Sequence, residues 1–305
     1  MRLFRDLAEI VRLDEPMARH TSFHVGGPVR YFLEPRNWHE VALIYQRCQD
    51  AGLRIRTLGR GCNTLVTDEP HYWAVLATHR LNWIGRHGSR LHAGGGYNLG
   101  KLIAHAATWG LRGLEPLVGI PGTVGGAVAM NAGGRHGAIA DRLASAVVAF
   151  PGQGPQWASA QDLGLAYRTS NIHGGRPLLL SASFELGRAT SGEIRRRCRE
   201  ILDEKRASQP VRAWSAGCVF KNPPGDSAGR LIDAAGLKGL RVGGAEVSPK
   251  HANFIINRGH ATASDILRLI AAVVQRVHQE HGVRLELEIQ VWAEEEEERS
   301  FHGRA

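Results

Sequence analysis

The sequence predicts an α+β protein with two domains, and three features carry that expectation. A chain of 305 residues is longer than one ordinary domain needs. Strand-like and helix-like runs alternate from residue 21 to residue 186 with no internal repeat or long linker. Near residue 187 the composition shifts toward basic and amphipathic helical patterns.

In chain order, an amphipathic start leads to HTSFHVGGP at 20–28, and 29–33 reads as a strand. Asn37 is placed to cap a helix over 38–51, which Gly52 stops. Residues 55–58 read as a buried strand running into the turn Gly59-Arg60-Gly61-Cys62-Asn63-Thr64. Strand, helix, strand and glycine turn form a βαβ pattern, and ligands favour the ends of such strands. Further strands are expected at 75–78 and 90–93, then a turn at 94–96 and a helix over 99–109 capped by Asn98. Strands at 144–150 and 178–184 follow. Thr190-x-x-Glu193 is a capping box for a basic helix over 194–207, and Ser227 caps another reaching 235. Thr262-x-x-Asp265 opens a long helix whose apolar stripe is Ile266, Leu269, Ile270, Val273, Val274 and Val277. Residues 285–291 alternate as a strand, and 294–298 read as a solvated acidic tail.

The stretch 113–137, GLEPLVGIPGTVGGAVAMNAGGRHG, is the segment the other elements support. Eight of its 25 positions are glycine, interleaved with apolar residues from Leu114 to Met130. It can bury apolar surface while its backbone stays bare, and glycine lets a ligand or another backbone approach closely. Gly122-Thr123-Val124-Gly125-Gly126 is placed to aim successive N–H groups at an anion. Neither G-x-G-x-x-G nor a lysine-bearing P-loop is present, so a nucleotide held here belongs to another class.

Composition narrows the function. Hydrophobic content of 43% and charged content of 22% are those of a soluble enzyme. The net charge of +9 comes mostly from arginines scattered along the chain. That dispersal suits a phosphorylated, carboxylated small molecule better than nucleic acid, because no aromatic and basic residues interleave in a cluster. The four cysteines, Cys48, Cys62, Cys198 and Cys218, show no metal or disulfide spacing and are expected to be reduced thiols. No signal peptide or apolar membrane-length run is evident, and the fifteen histidines form no HxH or HExxH pattern, so no metal is expected.

Seven blocks then occur in one order: 20–28, 59–65, 113–137, Tyr167-Arg168-Thr169-Ser170, AGCVFKNP at 216–223, Ser248-x-x-His251-Ala252-Asn253-Phe254 and LELEI at 285–289. The series closely resembles the UDP-N-acetylenolpyruvoylglucosamine reductases (UDP-N-acetylmuramate dehydrogenases), flavoenzymes of bacterial peptidoglycan synthesis. It covers about residues 20 to 292. The resemblance implies a two-lobed FAD-binding domain of the vanillyl-alcohol-oxidase (PCMH) type over 1–188, with lobes of about 1–80 and 81–188. A C-terminal α/β substrate-binding domain over 189–305 follows. It also implies non-covalent FAD, NADPH as co-substrate, a UDP-sugar enolpyruvate substrate, and a cytoplasmic monomer without nucleic-acid or membrane partners. NADPH reduces FAD, hydride passes to the enolpyruvyl methylene carbon, and an enolate-like intermediate is protonated.

By the same resemblance Gly59, Arg60, Gly61, Cys62, Asn63, Gly122, Thr123, Gly125 and Gly126 hold the FAD pyrophosphate. Arg60 stands where the family has a small residue and brings an extra charge toward the phosphates. Arg168 matches the catalytic arginine, whose planar fork suits bidentate carboxylate binding. Cys218 stands where many relatives have a proton-donating serine, and a thiol near pKa 8.5 is a stronger acid than a hydroxyl. Glu288 matches the third catalytic position, although on a strand Glu286 and Glu288 share a face. Tyr167, Arg206, Lys221 and Asn222 align with substrate contacts, and His251 reads as part of the fold. The strand at 178 starts nine residues after Thr169, which leaves no room for the tyrosine-bearing insertion of some members and marks the shorter, second type. The competing readings are another oxidase or dehydrogenase on the same flavin scaffold, which should lack the Cys218 and Glu288 blocks, and a basic nucleotide-binding module.

Overall fold

The computed structural model describes residues 3–174 and 177–294. The chain packs into two compact units and passes between them several times. The first takes residues up to 14 together with 30–60 and 72–204; the second takes 15–29, 61–71 and the chain from 205 onward.

Two sheets organise the first unit. One has the strand order Val11–Pro16, Pro28–Leu33, His71–Ala77, Ile55–Leu58, with the last two parallel. The helix Trp38–Asp50 connects Pro28–Leu33 to Ile55–Leu58, and Asn37 caps it by accepting a hydrogen bond from the Glu40 amide at 3.0 Å. Val41, Ile44, Tyr45 and Cys48 on its buried face pack with Tyr31, Leu33, Ala74 and Leu76. The strand expected at 75–78 spans His71–Ala77 instead, because His71 and Trp73 are also buried while Thr78 opens a 3-10 turn.

The other sheet is antiparallel, in the order Pro155–Ser159, Leu143–Ala149, Leu178–Glu185, Arg90–Gly94, Ile84–His87. The helix Leu99–Thr108, capped by Asn98, lays Leu99, Leu102, Ile103 and Ala106 in one cluster with Leu91, Val124 and Phe184. Thr190 and Glu193 form the expected reciprocal cap at the start of the helix Ser191–Ser208.

The second unit is built on the helix Ala263–His281. Thr262 and Asp265 cap it reciprocally, and Gly282 ends it in the left-handed conformation at φ 68°. Its stripe of Ile266, Leu269, Ile270, Val273 and Val277 packs with Leu231, Ile232, Val247 and Ile255. Those partners come from the helix Ala228–Ala234 and the antiparallel strands Arg241–Val242, Ala245–Val247 and Ile255–Asn257. Thr64–Val66 pairs in parallel with Gln290–Trp292, Leu65 opposite Val291.

The strand expected over 285–291 is a ladder only at its end. Leu287 makes a single bridge to Phe220, and the neighbouring bonds alternate: Lys221 N donates to Glu286 O at 2.9 Å, and Glu288 N donates to Val219 O at 2.8 Å. Of the acidic run 294–298, Glu294 is exposed and lies 3.6 Å from buried His71; the others fall outside the described residues. Among the described residues no helix is long and apolar enough to cross a membrane.

Candidate active site

In the first unit the two glycine loops meet. A Cβ on Gly59 would stand 2.6 Å from Thr123 Oγ1, so bare backbone is what fits there. His79 anchors this loop, with Nε2 2.9 Å from the Gly59 carbonyl and Nδ1 3.4 Å from Glu34. No sequence motif marks His79; its adjacency to the buried strand His71–Ala77 is the signal the sequence offers.

Thr123 caps the helix Val124–Ala129, its Oγ1 accepting from Gly126 N at 3.2 Å. Val124 N donates to Tyr97 O at 2.9 Å and Gly125 N to Gly95 O at 2.8 Å. Of the five amides read as an anion cradle, three are thus engaged by protein, since a packed helix start must satisfy its own donors. The Gly122 and Thr123 amides enter none of these bonds. A Cβ on Gly122 would meet nothing within 4 Å, so the space beside it is open. Arg60 is exposed at the tip of its loop.

Arg168 sits in a tight turn whose ends, Ala166 and Thr169, exchange backbone hydrogen bonds of 3.1 and 3.3 Å. Its φ is +58°, an uncommon conformation for a side-chain-bearing residue. Two bonds brace the turn: Asn131 Nδ2 donates to Ala166 O at 3.0 Å, and Ser170 Oγ to Ala129 O at 2.7 Å. The arginine is therefore held by the end of the 113–137 stretch. Exposed Tyr167 lies beneath it, with the guanidinium carbon 5.3 Å from the ring centre.

In the second unit Asn63, Cys218 and Glu288 come onto adjoining segments. Asn63 Nδ2 donates to Glu288 O at 3.0 Å, and Asn63 O accepts from Gln290 N at 2.9 Å. Glu288 N in turn bonds Val219, the residue after Cys218. Buried Asn253 pins the other side of that segment. Its side chain accepts from Phe220 N at 2.9 Å and donates to Phe220 O at 2.8 Å, and its carbonyl accepts from Val219 N at 2.9 Å. His251 Nδ1 accepts from Asn253 N at 3.3 Å; burial, with Lys238 nearby, lowers its pKa and keeps the ring neutral for that role.

The packing distinguishes the two glutamates that spacing left equivalent. Glu286 is exposed and pairs with Lys221 at 3.4 Å, whereas Glu288 is half-buried among the Asn63 and Val219 bonds. Asn222 Oδ1 accepts from Ala228 N at 3.1 Å, at the start of the helix Ala228–Ala234. Gly61 is buried and Cys62 half-buried, beside Asn63. Arg206 is exposed near the end of the helix Ser191–Ser208, and its carbonyl accepts from Lys250.

Comparison with known proteins gives the constellation its context. Residues 29–155 match a family described as FAD binding domain. Residues 209–292 match the C-terminal domain of UDP-N-acetylenolpyruvoylglucosamine reductase. A reductase of that name from Syntrophotalea carbinolica is 42% identical, the match covering 95% of this chain and 97% of that one. UDP-N-acetylenolpyruvoylglucosamine reductase 2 of Symbiobacterium thermophilum is 41% identical over 92% of both. The chain belongs to the UDP-N-acetylenolpyruvoylglucosamine reductase family. The crystal structure of the reductase from Thermus caldophilus is similar in fold as well, with a TM-score of 0.80 at 38% identity over 93% of this chain and all of that one. Both glycine loops fall within the region matched as FAD-binding, and Cys218 and Glu288 fall in the region matched as the family's C-terminal domain.

Proposed function

We propose that this enzyme reduces the enolpyruvyl double bond of UDP-N-acetylglucosamine enolpyruvate to give UDP-N-acetylmuramate, with NADPH as reductant, for peptidoglycan synthesis in the cytoplasm. One observation carries the reading: the Gly59 and Thr123 loops meet with no room for a side chain, in a chain 42% identical to a named reductase over 95% of its length. The loops fit a dinucleotide. Gly59 allows the approach, Gly122 borders open space, and the Gly122 and Thr123 amides lie outside the bonds that cap the helix. We assign Gly59, Arg60, Gly61, Cys62 and Asn63, with Gly122, Thr123, Gly125 and Gly126, to the FAD pyrophosphate, within a flavin domain over 1–188 and a substrate domain over 189–305. Bound FAD supplies the two-electron relay between NADPH and the substrate.

The remaining chemistry belongs to side chains. Arg168 binds the enolpyruvyl carboxylate and stabilises the negative charge that builds on it. The Cys218 thiol gives a proton to the carbon bearing that carboxylate. Glu288 orients the site. Tyr167, Arg206, Lys221 and Asn222 contact the nucleotide-sugar. The test is an NADPH oxidation assay coupled to mass spectrometry. NADPH consumption should require the enolpyruvyl substrate and yield a product two hydrogens heavier. Consumption without that product overturns the proposal.

A further inference from the structure

The first unit contains a cavity of about 310 Å³ whose lining shares no residue with those assigned above. Its lining combines Arg112, Arg142 and Arg197 with His136, buried Glu115 and buried Ile201. That volume is at the small end of small-molecule sites.

The two arginines from the loop side are laid in place by glycines. A Cβ on Gly113 would stand 2.6 Å from Arg142 Nε and 2.9 Å from its Cδ. A Cβ on Gly187 would stand 3.0 Å from Arg112 Nε and 3.1 Å from its Cγ. Each guanidinium stem therefore rests on bare backbone, which any other residue there would displace. Among the described residues, neither guanidinium has an ion-pair partner within 4.0 Å. The carboxylates of the lining are already engaged: Glu115 accepts from Gly113 N at 2.5 Å and Asp141 from Ala138 N at 2.9 Å.

The helix side is also ordered. Arg197 donates to Glu200 at 3.0 Å and approaches His136 Nδ1 at 3.4 Å, while His136 Nε2 lies 2.8 Å from Glu204. The cavity thus presents two exposed forks without ion-pair partners, their stems over glycines, with a third arginine among its lining residues. Guanidinium forks match the paired oxygens of phosphate.

We propose that this cavity is a binding site for a small organic phosphate, gripped by Arg112 and Arg142, with its organic part against half-buried Pro116. The site stands independently of the reductase assignment, since it uses none of the same side chains. Calorimetric titration of the flavin-loaded protein with inorganic pyrophosphate tests it. The wild type should show a saturable binding event that Arg112→Gln/Arg142→Gln weakens at least tenfold, with flavin content and turnover unchanged. Arg142→Lys, which keeps the charge and loses the fork, should weaken it less. Equal affinity in the double variant, or no saturable binding by the wild type, overturns the proposal. So does loss of flavin from the double variant, because the arginines would then serve the fold.

Discussion

Arg168 carries backbone strain at a position proposed to bind the substrate carboxylate. A side chain in the left-handed region costs about 1–2 kcal/mol relative to a right-handed one, and Arg168 is held there by the Ala166–Thr169 turn. Glycine would relieve that cost, so Arg168→Gly should be more stable than Arg168→Ala by about 1 kcal/mol in denaturant titrations, with turnover lost in both. Arg168→Lys should keep its flavin and lose about 10²–10³ in turnover, the usual cost of removing one donor to a developing charge. Unchanged turnover would make the arginine structural. Cys218 separates proton donation from electron delivery in the same way. With Cys218→Ala, flavin reduction by NADPH should stay near normal while reoxidation by the enolpyruvyl substrate slows, and Cys218→Ser should retain much of the rate. Stopped-flow absorbance resolves the two half-reactions. A Cys218→Ala protein whose second half-reaction matches wild type assigns the thiol to packing. Burial raises the Cys48 and Cys198 thiols to about 12 and about 11, so neither should react with a thiol reagent at neutral pH before unfolding.

At the scale of elements, short polar devices fix the apolar pieces. The Asp265 carboxylate accepts hydrogen bonds from the Gly244 and Thr262 amides and pairs with Arg268, which holds its pKa below the ordinary 3.8. A lowered carboxylate pKa contributes stability above the unfolded value, and that contribution is lost as pH falls through it toward the folded value. Asp265→Asn should therefore lower the melting temperature at pH 7 and cost progressively less below pH 4; a constant deficit across that range contradicts the assignment. Asn253 has a larger structural duty, because two of its four bonds satisfy buried Phe220 through the side chain. Asn253→Ala leaves a buried N–H and C=O unmet and should cost about 2 kcal/mol or more, read as a shifted urea midpoint.

For the whole molecule, flavin links the glycine loops to stability. The purified protein should be yellow with one FAD per chain, and denaturation should release the flavin into the soluble fraction because nothing assigned here bonds to it covalently. Adding FAD at a thousandfold excess over its dissociation constant to the stripped protein should stabilise it by about 4 kcal/mol, seen as a raised melting temperature. Colourless protein that added FAD does not change overturns the flavin assignment.

What the sequence determined alone is local. Caps at Asn37, Asn98, Thr190, Ser227 and Thr262, the apolar stripe of the last helix, and the two glycine turns depend on neighbours within a few residues, so their spacing is readable directly. Ordered motifs extended this to the family. Tertiary structure decided what depends on partners far along the chain. The amides of Val124 and Gly125 are engaged because the turn after Arg90–Gly94 supplies carbonyls to them. Residues 285–289 form no continuous ladder because their antiparallel pairing with 219–221 extends over a single bridge, Phe220 to Leu287. Glu288 differs from Glu286 because Asn63, 225 residues away, donates to its carbonyl. Such pairings carry no periodicity, and only the folded chain supplies them.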